Sequence, residues 1–289
     1  MTNYLEPMKA KLSDIDFLES VSDDITWGAG EKFDGYRELL YLFDDHNELI
    51  SSGGNNHLPC VPQFSKVLPD CGGTIVDCEG LSPTRRIEDN GTCFKSLAYP
   101  ESAHEWQRLN GQATLVIFDI LRYKHMDTTS LEFVKRRVLL REVVSQLVEA
   151  DMPVRMESLV MKDKLQYYYE IISRTKEEGH EGIILKDMGA PYRPGKRGNA
   201  WLKVKRVEPR DYYITGFMDG TGKYTNMVGA VCYGSTPSEI LGTASGMDDT
   251  IRRDMTDHPD KYRGKLAHFA CQEITDTGVM RHPRYLGMV

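Results

Sequence analysis

Glu31-Lys32-Phe33-Asp34-Gly35-Tyr36-Arg37 is the stretch on which the reading of this chain turns. It gathers a lysine, an acid, a glycine and an arginine, after Gly28-Ala29-Gly30 and before the apolar run Leu39-Leu40-Tyr41-Leu42-Phe43. A lysine held on a turn beside a strand offers an amine as a nucleophile. Ordinary lysine has a pKa of about 10.4, so at neutral pH its amine is protonated and cannot attack. Desolvation or nearby positive charge must lower that value before covalent chemistry begins. The rest of the chain must therefore supply both the charge and a substrate. Taken alone, the string can also be a solvated surface turn.

Composition narrows the class. At 289 residues, with 40% hydrophobic and 27% charged residues, the chain has the make-up of a soluble globular protein with one large or two medium domains. No apolar run approaches the length that spans a bilayer, so no membrane partner is expected. The start, Met1-Thr2-Asn3-Tyr4-Leu5-Glu6-Pro7, lacks a basic and then apolar leader, and a cytoplasmic location is expected. The six cysteines are scattered without a C-x-x-C pair, which argues against a zinc site and for free, buried thiols. A net charge of -7 argues against coating nucleic acid by bulk charge, yet a local basic face exists. Arg193, Lys196, Arg197, Lys203, Lys205, Arg206 and Arg210 stand against the single acid Glu208. The alternation Trp201, Lys203, Lys205 puts both lysines on one side of a strand.

Leu39–Phe43, Gly73–Asp77, Ala113–Leu121 and Gly182–Lys186 read as strands rich in branched and aromatic residues. Leu131 to Ala150 reads as an amphipathic helix, with Leu140, Val143, Val144 and Leu147 on a different face from Val134, Val138, Arg141 and Ser145. A second helix is expected at Lys164 to Glu178, stopped by Gly179. No G-x-G-x-x-G follows an early strand, so the fold class is α+β on antiparallel sheets with flanking helices, not doubly wound. Beyond Pro209 the short runs Tyr212–Phe217, Val228–Tyr233, Ile240–Ala244, Lys265–Ile274 and Met280–Met288, with one helix at Asp248 to Met255, suggest a small OB-fold barrel. The expected domains are 1–207 and 208–289, joined by a hinge near Val207–Arg210.

Further patches follow Lys32. Asp77-Cys78-Glu79 and Phe118-Asp119 end strands. Glu181-Gly182-Ile183-Ile184-Leu185-Lys186 opens with an acid and closes with a base. Trp201-Leu202-Lys203-Val204-Lys205 comes next, and Arg281-His282-Pro283-Arg284-Tyr285 stands near the carboxyl end. Chemically these are a nucleophilic amine, strand-borne carboxylates, an aromatic platform and phosphate-seeking cations. Carboxylates beside a nucleotide's phosphates suit a partly hydrated magnesium ion. Lys186, Lys203 and Lys205 would neutralise phosphates and lower the pKa of Lys32 by like-charge repulsion. Asp119 reads as structural, and nothing pairs with His282.

The series, six motifs in family order, resembles the nucleotidyltransferase motifs of ATP-dependent DNA ligases, especially the compact viral and bacterial forms, from Pro7-Met8 to the carboxyl end. The resemblance implies that Lys32 becomes covalently linked to AMP drawn from ATP. Arg37 would touch the ribose or the nick phosphate, and Asp34 would organise the later steps at the nick. Glu79 would lie near ribose and metal, Phe118 would stack on adenine, and Glu181 would bind metal. Lys186, Lys203 and Lys205 would contact phosphates, and Arg281 would swing in from the second domain to orient pyrophosphate. The implied cofactors are ATP and magnesium, with manganese as its substitute, and the implied partner is nicked duplex DNA bound by a monomer.

Three departures from the family pattern stand out. Gly30 occupies the place of an adenine-binding acid, and the acid present is Glu31. Ser51-Ser52-Gly53-Gly54 lacks the arginine that usually reaches the nick phosphate, which leaves Arg85 or Arg86 to supply it. Cys78 stands where glycine is common. The competing readings are an RNA ligase or an mRNA-capping guanylyltransferase of the same fold, and, in another class, a non-catalytic OB-type binder of single strands. The ending Tyr36-Arg37 and the Arg281 motif favour DNA ligation over the first two. An NAD-dependent ligase is disfavoured by the missing cysteine cluster and by the lack of a domain before Lys32 to grip nicotinamide.

Overall fold

Leu39, Leu40, Tyr41 and Leu42 are all buried in the computed structural model, on both faces of one strand, and this sets the layers of the first unit. The structure describes residues 4–13, 25–95, 97–162, 181–205, 208–271, 273–275 and 277–289; the side chain of Arg281 and the helix expected at Lys164–Glu178 lie outside the described residues. The chain divides into two compact units, Met1–Lys205 and Arg206–Val289.

In the first unit the strands are β1 (Lys9–Ser13), β2 (Trp27–Lys32), β3 (Tyr36–Leu42), β4 (Asn47–Ser51), β5 (Thr74–Leu81), β6 (Thr114–Tyr123), β7 (Met126–Asp127), β8 (Val154–Met156), β9 (Val160–Lys162), β10 (Gly182–Asp187) and β11 (Arg197–Lys205). They form two sheets. One has the order β1-β11-β10-β2-β9; the other has β4-β3-β5-β6-β7, with β8 added against β6. Pairing is antiparallel except at β1–β11 and β6–β8, two parallel contacts absent from the expected all-antiparallel plan.

Strand alternation sends Leu39 and Tyr41 of β3 inward to meet Ile75, Phe118 and, from the facing sheet, Trp201. Leu40 and Leu42 point the other way, into a second core with Val76, Ile117 and Leu115. Two helices cover that outer core. Phe133–Glu149 contributes Leu140, Val143, Val144 and Leu147, and Ile87–Lys95 contributes Cys93 and Phe94. The first matches the expected amphipathic helix, and Val134 and Val138 are left exposed. Its apolar stripe carries one charged residue, the fully buried Arg136. That guanidinium donates from Nε and Nη2 to the two oxygens of Asp119, at 2.7 and 2.8 Å.

Glu38, on the outer face of β3, is buried against His57, with Oε1 2.6 Å from Nδ1. Burial pushes the Glu38 carboxyl up to about 9, and burial together with Lys95 holds His57 below its ordinary value. Both shifts favour a neutral pair. An unfolded glutamate releases its proton near pH ~4.3, whereas the native state keeps this one. Stability from Glu38 is thus complete below the unfolded value and is lost as pH rises toward about 9. Glu38→Gln should therefore show a flatter fall in stability from pH 5.5 to 8.5, the wild-type slope exceeding it by up to ~1.4 kcal/mol per pH unit. Urea unfolding at several pH values checks this; parallel profiles for the two proteins would contradict it.

The second unit contains β12 (Glu208–Asp219), β13 (Val228–Gly234), β14 (Gly242–Ala244), the helix Asp249–Asp257, β15 (Leu266–Cys271), β16 (Glu273–Ile274), β17 (Met280–Arg281) and β18 (Arg284–Met288). Its main sheet runs β14-β13-β12-β15-β18. A bridge between Ser245 and Arg284 joins the two edges, with Tyr285 N–H donating to Ser245 O at 2.7 Å. Five strands closed in this way, with a helix between the third and fourth, make the expected OB-type barrel. Its core is Ile214, Val231, Tyr233, Met255 and Phe269. The last expected strand, Met280–Met288, is broken in two. His282 has φ +50°, a left-handed value that interrupts extended chain, and Pro283 follows it.

Candidate active site

Two antiparallel registers lay the site out in rungs. Lys32, Gly182 and Lys205 stand opposite one another across β2, β10 and β11; Gly30, Ile184 and Lys203 form the next rung; Gly28, Lys186 and Trp201 form the third. Residues directly opposite in a sheet share a face, so all three rungs look the same way. Lys32 closes β2, and the turn expected to carry it is instead made by Phe33, Asp34 and Gly35.

That turn needs its glycine. A Cβ on Gly35 would lie 2.3 Å from the carbonyl oxygen of Gly80. Glu79 Oε1 accepts the Gly35 N–H at 3.1 Å, and Asn90 Nδ2 donates to the Asp34 carbonyl at 2.8 Å. In β5, alternation turns Asp77 and Glu79 toward the facing sheet and Cys78 into the outer core. A cysteine in place of glycine at 78 is therefore a matter of packing.

A cavity of about 530 Å³ opens between the two sheets. Glu31, Lys32, Arg37, Glu79, Phe118, Lys186 and Lys203 all line it, so seven of the residues singled out from sequence meet in one place. Asp34, Glu181 and Lys205 are not part of that lining. Glu181 is nonetheless bound to the site, because its carboxylate forms ion pairs with both Lys32 and Lys205. Burial works to raise its pKa, but the two ammonium groups outweigh burial and hold it below the ordinary glutamate value. Lys203 is lowered, first by burial and then by repulsion from Lys205 and Lys32.

The geometry departs from expectation in how the charges are shared. The nearest charged partner of the Lys32 amine is the Glu181 carboxylate, not a cation. Lys186, expected on a phosphate, is buried at the deep end of the cavity with Nζ 2.6 Å from Glu157 Oε2. It also lies 4.5 Å from the centroid of Phe118 and 4.7 Å from that of Trp201. Burial lowers its pKa against the pull of Glu157. Arg37 forms a two-pronged ion pair with Asp77, and its guanidinium lies over Phe118 at 4.6 Å. Asp77 also accepts from Tyr192 Oη at 2.6 Å, and the Met8 carbonyl accepts from Arg37 at 3.3 Å. Burial pushes Glu79 up to about 7 against the opposing charges of Arg37 and Lys32.

The departures noted in the sequence find partners here. Ser52 lines the cavity, and Arg85 reaches Glu31 at 3.5 Å, at the end of β2 that carries Lys32. A Cβ on Gly30 would lie 2.5 Å from Glu157 Oε1, so the glycine leaves its space to another acid. Glu157, Tyr192 and Asp77's hold on Arg37 are not visible in the sequence. Only Asp77 carried a signal, its strand spacing from Glu79. Arg281 belongs to β17 of the second unit.

A lysine-bearing cavity between two sheets, in a chain that also carries an OB-type barrel, is the architecture of the nucleotidyltransferase class. A family profile described as "ATP dependent DNA ligase domain" matches residues 7–205, and the chain belongs to that family. It is 26% identical over 275 residues to DNA ligase 2 of Methanosarcina acetivorans, covering 87% of this chain and 46% of that protein. It is 30% identical over 279 residues to a DNA ligase of Methanothermobacter thermautotrophicus, covering 89% of this chain and 47% of that one. The chain thus spans about half the length of these curated relatives. A solved structure from "DNA binding with a minimal scaffold: Structure-function analysis of Lig E DNA ligases" shares the fold over 100% of both chains, with a TM-score of 0.71 at 19% identity.

Proposed function

We propose that the protein is an ATP-dependent DNA ligase that seals nicks in duplex DNA. The observation that carries this reading is the Lys32 amine, held by Glu181 at the wall of a cavity with Lys203 and Arg37. Lys32 Nζ attacks the α-phosphorus of ATP; the N–P bond forms as the bond to pyrophosphate breaks. A 5′-phosphate oxygen at the nick then displaces the lysine and takes the AMP. The adjacent 3′-hydroxyl attacks that phosphate, and AMP leaves. The covalent intermediate divides one hard condensation into displacements with good leaving groups.

In this reading Lys203 and Lys205 meet phosphate charge as it builds, and Arg37, set by Asp77, meets the ribose or the nick phosphate. Asp34 acts in the later steps at the nick. Phe118, at the floor of the cavity, offers its ring to adenine, and Glu31 brings Arg85 to the rim. Lys186 fits a positioning role better than a phosphate contact, because its amine is already bound to Glu157. Arg281 of the second unit orients pyrophosphate.

Among the described residues no cluster of three or more His, Cys, Asp or Glu could cage a metal. Magnesium and manganese need no such cage, since they take one or two carboxylates and fill the remaining positions with water and substrate phosphates. Glu79 and Glu181 would hold such an ion, and its charge would offset that on the leaving pyrophosphate. No helix among the described residues is long and apolar enough to cross a membrane. The enzyme is taken to work as a monomer on nicked duplex in the cytoplasm. Support for DNA as partner comes from the edge formed by β1 and β11, where Lys9, Arg193, Lys196 and Arg197 line a second cavity of about 880 Å³. Such cations suit phosphate backbone.

The test supplies the protein and magnesium with ATP, GTP or NAD, each labelled in its nucleotidyl group, then adds nicked DNA or nicked RNA. Protein-bound label from ATP alone, stable to alkali and labile to acid as a phosphoramidate is, and discharged as the DNA nick closes, is the expected result. Label from GTP would move the enzyme to capping chemistry, label discharged only by nicked RNA would make it an RNA ligase, and no label would leave a binding protein.

A further inference from the structure

Glu157 lies just beyond β8, where its N–H donates to the carbonyl of Ile117 at 2.8 Å and pins it beside β6. The residue is 2% exposed, yet it forms part of the cavity wall. Its two oxygens have different surroundings. Oε2 takes the Lys186 amine at 2.6 Å, with an Arg137 nitrogen at 3.8 Å. Oε1 has no hydrogen-bond donor among the described contacts and faces Gly30, in the space that any larger residue at 30 would fill.

An ionised carboxylate is an acceptor only, and Oε1, on the cavity wall, is the oxygen left for a donor that enters the cavity. Lys186 supplies the countercharge but satisfies one oxygen. The remaining oxygen lies at the end of the cavity walled by Phe118, Ile184 and Trp201, flat apolar surfaces that suit a ring. A ring that points an N–H at Oε1 is bound there, and a ring that points a carbonyl at it is repelled. Adenine offers a 6-amino group. Hypoxanthine offers an oxygen at the same place. Guanine's adjacent N1–H and 2-amino donors call for both carboxylate oxygens, and Lys186 holds one of them.

We propose that Glu157 is the residue that reads the nucleobase: Oε1 accepts a hydrogen bond from the exocyclic amine of adenine, Lys186 fixes the carboxylate, and Gly30 makes the room. Base selection is thereby set by an acid from the segment between β8 and β9, and β2 contributes only the absence of a side chain. This rests on the reading of the cavity as a nucleotide site, and the experiment keeps the two apart.

The rate of Lys32 labelling is measured with ATP, with purine riboside triphosphate (hydrogen in place of the 6-amino group) and with inosine triphosphate. For wild type, removing the amine should lower kcat/KM by ~10- to 100-fold, the range for a hydrogen bond to a charged group, and inosine triphosphate should be poorer still. Glu157→Gln, which can turn its amide to donate or accept, should bring inosine triphosphate to within a few-fold of ATP. A purely structural Glu157 would move all three substrates together. Should wild type use purine riboside triphosphate as well as ATP, the proposal is overturned; this arm needs no variant and is unaffected by folding of Glu157→Gln. If ATP itself gives no adduct, it is the nucleotidyltransferase reading that fails.

Discussion

Lys32→Ala protein is expected to take up no AMP and to lose nick sealing by at least ~10³-fold, as removal of a covalent nucleophile does elsewhere. The loss should not come through folding. The Lys32 side chain is 19% exposed, and Glu181 keeps its second partner, Lys205, when Lys32 is removed. Lys32→Arg separates charge from nucleophilicity. A guanidinium keeps the charge facing Glu181 but is no nucleophile, so it should restore the ion pair and none of the labelling. DNA that already carries a 5′-adenylate bypasses the amine altogether. Both variants should therefore still close such a nick, in contrast to their failure on an ordinary one. Labelled Lys32→Ala protein, recovered after denaturation, would show that a different group accepts the nucleotide.

Asp119→Ala should cost ~3–5 kcal/mol of stability, the range for breaking a buried ion pair from one side. Asp119 and Arg136 are both fully buried, and the guanidinium spans from the helix Phe133–Glu149 to the strand that carries Phe118. Without the acid, that charge keeps, among the described residues, the neutral carbonyls of Leu131 and Ala190, at 2.5 and 3.1 Å, and the rings of Phe133 and Tyr192. Replacing the pair together, as Asp119→Leu with Arg136→Met, should recover a large part of the loss, because no unpaired charge remains. Urea unfolding of the wild type and the two variants measures this. A cost below ~1 kcal/mol for Asp119→Ala would mean that the pair contributes no more than a surface bridge.

How much of this was legible beforehand depended on whether the cause was local. Leu39–Phe43 could be read as a strand because a run buried on both faces is apolar throughout. The helix at Leu131–Ala150 could be read because its stripe repeats at helical spacing. The helices Ile87–Lys95 and Pro100–Asn110 were passed over; both are mostly polar, and their apolar positions are too few to mark a period. Strands β1 and β9 were also missed, since each is short and joins the edge of a sheet whose partners lie far away in sequence. In the site, the cluster around Lys32 was visible because its residue types are unusual at that spacing. The pairing of Lys186 with Glu157 was not, because it follows from a register that sets Lys186 opposite Gly28 and Trp201 at the buried end. No spacing along the chain connects Glu157 to Gly30. Only the fold brings the acid to the place the glycine leaves open.

Glu181 is clasped by two amines that occupy very different stations in the chain: Lys32 is the proposed nucleophile, and Lys205 is the last residue before the second unit. In the proposed reaction Lys32 becomes a phosphoramidate and gives up its positive charge, and the tug on that carboxylate would become one-sided. On that reading the same acid that steadies the nucleophile would register whether the enzyme is loaded, and at the seam where one unit hands the chain to the next.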